Sequence, residues 1–217
     1  MMNEQLKRIL VKIDQLKGLD SYFTVFGSQE HKYQLNHPVS IDKVHEFERK
    51  YDIKLPREYV DFVTILGNGG AGPFYGLELF ENCLFDDLNY KYENSLLNPS
   101  KPFLFTEPWN PRFSTKFSKD NAEENEIEYA KFEEIYYSKE HMNGTITICN
   151  YGCGASLHLI VYGKEYGNIW TDDRGSENGI YPSFELGNNQ NISFLNWYEL
   201  WLDNSLQKFL APTGGSI

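Results

Sequence analysis

The sequence predicts an α+β fold built as one domain, and three observations carry that expectation. Apolar residues recur at helical spacing in three segments that end by Gly67, and again in a segment after Ser193. Between Gly144 and Asp173 the spacing falls to two in three short runs separated by glycines, the pattern of an antiparallel meander. The 217 residues contain no internal repeat and no linker-like stretch, and that length suits a single core.

The first helix is expected from Leu6, Ile9, Leu10, Ile13 and Leu16, with Gly18 as its C-terminal cap. The second begins after Ser40, which caps it. Val39 and Val44 are spaced for a hydrophobic staple, and Ile41, Val44 and Phe47 are expected to line the buried face. The third reads "LPREYVDFVTILG": Pro56 suits the first helical position, Tyr59, Phe62, Val63 and Leu66 form one stripe, and Gly67 ends it. The adjoining stretch "GNGGAGPFYG" has the spacing of a dinucleotide loop. That chemistry needs a strand before the glycines and a helix after them, whereas here a helix precedes and the strand-like "FYGLELF" succeeds them. Gly69, Gly70 and Gly72 are therefore read as backbone devices that turn a helix end into a sheet through positive φ.

Four prolines make "NSLLNPSKPFLFTEPWNPRF" a loop. Residues 118–142 form an acidic insertion: "SKDNAEENEIEYAKFEEIYYSKEH" holds eight acidic residues against three basic ones. It is expected to be a solvated helix or a partly mobile lobe. Then "TITICNY", "SLHLIVY" and "GNIWTDD" alternate as half-buried strands, with Gly152 and Gly154 at the first turn. Ser193 caps the last helix, whose apolar face is Phe194, Leu195, Tyr198, Trp201, Leu202 and Leu206 and is expected to pack on the sheet. Residues 211–217 are expected to fray.

Net charge of −11 argues against a nucleic-acid partner, because phosphate contacts need clustered lysine and arginine. No window holds 18 apolar residues, and the charged N-terminal segment is unlike a signal peptide, so a cytoplasmic protein that neither spans nor binds a membrane is expected. Cys83, Cys149 and Cys153 are odd in number and are read as buried small hydrophobes. Fifteen tyrosines, fifteen phenylalanines and four tryptophans exceed what a minimal core needs, which makes Trp109, Tyr136, Tyr137, Trp170 and Tyr181 candidates for a protein interface.

No catalytic, cofactor or metal residue is expected. Asp172 and Asp173 are paired carboxylates at a strand end, where aspartate commonly stabilises its own turn. "DRGSENG" fails the calcium-loop pattern because Gly175 stands where an oxygen ligand belongs. Cys149, Cys153 and His158 lack a fourth zinc ligand, and pairing Cys153 with His158 or His141 as a nucleophile lacks an orienting motif. The chain has no G-x-S-x-G elbow, P-loop or H-E-x-x-H.

The Leu-Pro helix, "GNGGAGPFYGL", "PFLFTEPWN", "GTITICNYGCG", "LIVYGKEYGNIWTDDRGSENGIYP" and "FLNWYELWLD" occur in an order that resembles the SUKH superfamily, which includes SMI/KNR-type cell-wall assembly regulators and many bacterial immunity proteins. The resemblance spans about residues 55–203. It implies a central, mostly antiparallel sheet with flanking helices over the whole chain, and it marks Gly69, Gly70, Gly72, Pro73, Trp109, Asn110, Gly152, Asp172, Asp173, Arg174, Tyr181 and Pro182 as motif positions with structural roles. For bacterial members it also implies a protein that binds and neutralises a toxin, often a nuclease; a regulatory adaptor is the alternative reading, and an uncharacterised hydrolase stands third. A basic toxin domain would be met by the acidic insertion, through Asp120, Glu123, Glu124, Glu126, Glu128, Glu133 and Glu134, together with Trp109, Tyr136 and Tyr137.

Overall fold

The computed structural model describes residues 3–85, 96–113 and 122–210; the expected fraying of residues 211–217 and the position of Asp120 lie outside them. The described residues form six α-helices and one four-stranded antiparallel sheet, an α+β arrangement in a single domain. The helices are α1 (Glu4–Leu19), α2 (Ser28–His31), α3 (Ile41–Tyr51), α4 (Arg57–Asp61), α5 (Ala122–Tyr136) and α6 (Phe194–Leu210). The strands are β1 (Thr145–Gly152), β2 (Ala155–Ile160), β3 (Ile169–Asp173) and β4 (Gly179–Pro182), in the order β1-β2-β3-β4. The fourth strand extends the meander beyond the three runs that the sequence displays. Its four residues are too few to show a period, and a glycine and a proline bound it.

Helix α1 buries Leu6, Ile9, Ile13 and Leu16 against α6, and ionic contacts close the edge of that seam. Glu199 accepts from Arg8 Nε at 2.9 Å and from Lys12 at 2.9 Å, while Lys12 reaches Asp203 at 2.6 Å. Gly18 does not cap α1. The helix runs through it to Leu19, and the Asp20 amide donates to the Leu16 carbonyl at 2.8 Å. Ser40 caps α3 as expected, accepting from the Lys43 amide, and Val39 and Val44 are both buried. Ile41 is instead exposed, and its place in the core is taken by Glu48, whose carboxylate accepts from the Leu55 amide and from Lys54.

Pro56 stands at the N-cap of α4, one residue earlier than expected. After Asp61 the helix widens into a π turn, Phe62–Leu66. The Gly67 amide then reaches the Phe62 carbonyl, and the Val63 carbonyl is left to accept from the Val39 amide at 2.9 Å. Phe62 packs on Tyr198 with ring centroids 4.8 Å apart, and Tyr59 meets Phe194 edge-on at 5.2 Å. These rings share one cluster with Ile146, Ile148, Leu157, Leu159 and Ile169 of the sheet.

The glycine loop ties the helical part to the sheet. Gly69 and Gly70 have φ of +77° and +95°, and single bridges run from Leu35 to Gly70, from Gly70 to Leu77 and from Leu77 to Cys149 of β1. "FYGLELF" is therefore no strand, but one paired residue leading into a 3₁₀ turn, Phe80–Asn82. Gly72 has no positive φ. It is required because a Cβ there would lie 2.8 Å from the Leu77 side chain. The Tyr198 hydroxyl donates to the Ala71 carbonyl at 2.7 Å and fixes the loop to α6.

Strands β2 and β3 and the first five residues of β1 are buried on both faces, and only the last three residues of β1 are half-buried. The alternation is present, but the polar face is roofed. Thr145 Oγ1 donates to the Met142 carbonyl, Thr147 Oγ1 to the Phe85 carbonyl, and Ser156 pairs with His158 at 2.8 Å. Of the cysteines, Cys83 and Cys149 are buried as expected, whereas Cys153 is exposed in the β1–β2 turn at φ +55°.

Two glycines should respond to alanine in opposite directions. Gly18→Ala, helical with open space around it, should raise stability by about 0.5–1 kcal/mol. Gly70→Ala, whose Cβ would collide with the Gln34 carbonyl, should lower it by at least about 1–3 kcal/mol. Denaturant midpoints decide, and equal shifts for the two variants would contradict these assignments.

Acid should unfold the α1–α2 connection first. Burial holds the His31 imidazole down to about 4 from its ordinary 6.5. Burial alone would raise the Asp20 carboxyl, but hydrogen bonds from Tyr33, Thr24 and Val25 outweigh it and hold the group at about 2. Both folded values lie below the unfolded ones, so the unfolded chain binds more protons and stability falls on acidification. His31 acts between about pH 6.5 and 4, and Asp20 from about 4 down to 2. Stability of His31→Gln measured at steps of pH should show a flatter slope in the upper window, where burial of His141 also contributes, and keep that of the lower.

Candidate protein-binding surface

At the end of β3 the chain enters a 3₁₀ turn, Arg174–Ser176, and three consecutive charged residues take different tasks. Asp172 and Arg174 are 1% and 0% exposed and form a bidentate pair: Nε to Oδ1 at 2.8 Å and Nη2 to Oδ2 at 2.6 Å. Asp172 also accepts from the Arg174 amide at 3.2 Å, which is the turn-stabilising role expected from the sequence. Asp173 accepts from Asn178 at 2.7 Å and from the Tyr181 hydroxyl at 3.5 Å.

The remaining nitrogen of the Arg174 guanidinium reaches α5. Nη1 donates to the Tyr136 carbonyl at 2.9 Å and to the Ser138 carbonyl at 2.8 Å, the last turn of α5 and the residues just beyond it. A buried cation thus caps the C-terminus of an acidic helix, where carbonyls lack intrahelical partners and the helix dipole is negative. The positive charge that anchors the acidic helix is itself anchored by Asp172.

An aromatic ladder makes the other attachment. Trp170, fully buried in β3, meets Phe103 at 5.0 Å; Phe103 meets Phe105 at 5.5 Å; Phe105 meets Trp109 at 5.4 Å; and Trp109 stacks on Tyr136 at 5.4 Å. From there Phe132 stacks on Tyr136, and Phe113 packs on Phe132 and Tyr129. The Trp109 backbone exchanges both hydrogen bonds with Ile180, covering the β4 edge. Asn110 accepts from the Tyr136 hydroxyl and donates to the Glu177 carbonyl, each at 2.9 Å.

These contacts reassign several expected interface residues. Tyr136 is 3% exposed and Trp170 is sealed in the core, so neither offers its ring to a partner. Trp109 is half-buried under Tyr136 and His141, and Tyr137 is half-buried. Within the acidic insertion, α5 is a docked helix that turns Phe132 and Tyr136 inward, with the exposed Tyr129 on the same stripe packing on Phe113, a spacing of i, i+3 and i+7 that the sequence displays and its charge obscures. On its outer side Glu126, Glu128 and Glu134 are exposed beside Ile127 and Ile135, with Glu133 half-buried. Glu123 and Glu124 belong to α5 by backbone, but their side chains lie outside the described ones. The other motif positions serve the scaffold. Pro73 accepts from Cys149 through its carbonyl, Gly152 has φ of +98°, and Pro182 is buried at the end of β4.

The candidate chemical pairs are not assembled. Cys153 is exposed, whereas His158 is fully buried among Thr145, Thr147 and Ser156, and His141 Nε2 lies 2.8 Å from the Ile135 carbonyl. Among the described residues, no group of His, Cys, Asp and Glu is placed to hold a metal ion.

Breaking one partner of a buried ion pair leaves a buried charge uncompensated. Asp172→Asn and Arg174→Met should each cost about 3–5 kcal/mol, and the double variant should cost clearly less than their sum. A double-mutant cycle by denaturant unfolding measures this, with amide exchange in residues 125–136 rising in both single variants. Additive costs would mean that the pair does not act as a unit.

The model of the SMI1/KNR4 family (SUKH-1) matches residues 38–186, more than half of the chain. The match begins before α3 and ends just after β4, taking in the glycine loop, the β-meander, the Asp172–Arg174 pair and α5 while leaving out α1 and α6. No curated protein and no solved structure matches significantly. On the extent of the family match, the chain belongs to the SMI1/KNR4 family (SUKH-1).

Proposed function

We propose that this protein is a non-enzymatic binding protein of the immunity type, acting in the cytoplasm of the cell that makes it by holding and neutralising a basic protein toxin. The family includes immunity-type proteins alongside regulatory ones. The observation that carries the reading is the acidic helix α5. Its exposed Glu126, Glu128 and Glu134 stand beside Lys131, the only basic residue in the helix, and Arg174 and the aromatic ladder hold it to the core. Exposed carboxylates on an anchored helix attract a basic surface and cost little backbone ordering entropy on contact. A nuclease that carries lysine and arginine for nucleic acid presents such a surface. Among the described residues no helix is long and apolar enough to cross a membrane.

The same scaffold serves a regulatory adaptor, and the partner distinguishes the two. Capture from the native cell under mild salt, with identification of the bound protein, tests the class. A toxin domain whose activity stops on binding supports immunity, and a host regulatory protein supports the adaptor.

With that partner in hand, association should be charge-steered. Replacing Glu126, Glu128 and Glu134 by glutamine should slow association several-fold and change dissociation little. Raising salt from about 0.05 to 0.5 M shortens the screening length from ~14 to ~4 Å, so the wild-type on-rate should fall steeply and that of the variant weakly. Parallel salt curves for the two proteins would remove α5 from the encounter.

A further inference from the structure

Between α5 and the β3–β4 connection lies a cleft of about 260 Å³. The rings it leaves accessible are Phe113, Tyr129, Phe132 and Tyr137: Phe113 meets Tyr129 at 72°, and Tyr137 is set at 88° to the buried ring of Tyr136, on which Phe132 stacks. Two carboxylate residues, Glu133 of α5 and Glu177, line the same space. Glu177 is held in a left-handed conformation, φ +60°, a strained choice for a residue other than glycine, and Asn110 clamps its carbonyl.

Glu133, and less strongly Glu177, raise the Tyr129 phenol, and both add to the burial that raises Tyr137, while Arg174 opposes them at Tyr137 and Arg112 and Arg174 act in the opposite sense on Tyr136. Ring faces and carboxylates converging on one small cleft attract a cation and repel an anion.

We propose that this cleft is a receptor for an arginine side chain of the protein partner. A guanidinium is flat, weakly hydrated and able to stack on a ring while its edge donates to carboxylates, whereas an ammonium is compact and strongly hydrated. A guanidinium already stands at the cleft: Arg112 pairs with Glu177 at 3.8 Å, both side chains being well exposed. Arg112 is thus a resident competitor that an incoming arginine displaces. This assignment deepens the immunity-type binding role and rests on it only for the source of the arginine.

The test uses the full chain and three capped tripeptides, Gly-Arg-Gly, Gly-Lys-Gly and Gly-citrulline-Gly, with ring resonances of Tyr129, Phe132 and Tyr137 tracked by NMR. The arginine peptide should shift them saturably, with half-saturation on the order of 1–10 mM, as suits one side chain. The lysine peptide should bind several-fold more weakly, and the citrulline peptide should leave the rings unmoved. Glu133→Gln with Glu177→Gln should weaken the arginine peptide about tenfold at an unchanged melting temperature. Arg112→Gln should strengthen it, an outcome that general damage to the fold does not produce. No shift with the arginine peptide, equal shifts with citrulline or lysine, or weaker binding by Arg112→Gln would each overturn the assignment. Capture of a host regulatory protein with intact peptide binding removes the toxin reading and leaves the cleft. The converse result removes the cleft alone.

Discussion

The arrangement depends on one buried ion pair. Asp172 and Arg174 lie two residues apart at the end of β3, and neither has meaningful contact with water. Burying either charge alone is costly, and the pair is tolerable because the carboxylate meets the fork in two places while another guanidinium nitrogen reaches the carbonyls of Tyr136 and Ser138. Those two carbonyls are what the arrangement secures. A charged helix with little apolar surface has weak reason to lie on a domain, and without a cation at its C-terminus α5 would be held by its rings alone. A hydrophobic substitute for the pair would equal it in packing and could not cap the helix.

The sheet poses a separate constraint. Four strands leave two edges, and an exposed edge is a template for aggregation. Neither edge is left open along its length. Leu77, Glu78 and Cys83 pair with β1 through single hydrogen-bonding positions, and Trp109 pairs with Ile180 of β4. The glycine loop brings the first cover to its place, since side chains at Gly69 or Gly70 would collide with backbone carbonyls of the neighbouring segments. The second cover carries the aromatic ladder, so the residue that closes the β4 edge also stacks on Tyr136 of the acidic helix. Edge protection and helix docking are coupled at Trp109.

How much of the fold is legible in the sequence depends on how local each signal is. The meander, the Ser40 cap and the reading of the glycine loop depend on neighbours a few residues away, and each appears in the structure. The departures have non-local causes. Gly18 reads as a helix end because glycine often is one, but here α6 covers the helix and packing carries it past the glycine. The polar side of the meander reads as a solvent face, and only the fold shows the roof made by residues 85, 103 and 142. Tyr136 reads as an interface anchor because the aromatic residues exceed what a minimal core needs, and nothing local shows which of them the core takes. Arg174 carries no signal as a cap, because the carbonyls it meets lie 36 and 38 residues earlier.

The same geometry bears on how partner preference can change while the fold persists. The inner side of α5 is committed to the ladder through Phe132 and Tyr136, and changing it disturbs the core beyond Trp109. The outer side is free of such commitments at Glu126, Glu128 and Glu134, where substitutions change the long-range field and leave packing intact. Between them Glu133 is half-buried and belongs to both: it shares the field with the outer row and lines the aromatic cleft with Glu177. Charges on a rim act chiefly on the rate of encounter, and groups that a bound partner covers act chiefly on the lifetime of the complex. On the proposed reading, one helix therefore adjusts the two rates through different residues. Selection on the exposed row tunes how fast a basic partner arrives, and selection at Arg112, Glu133 and Glu177 tunes which partner stays.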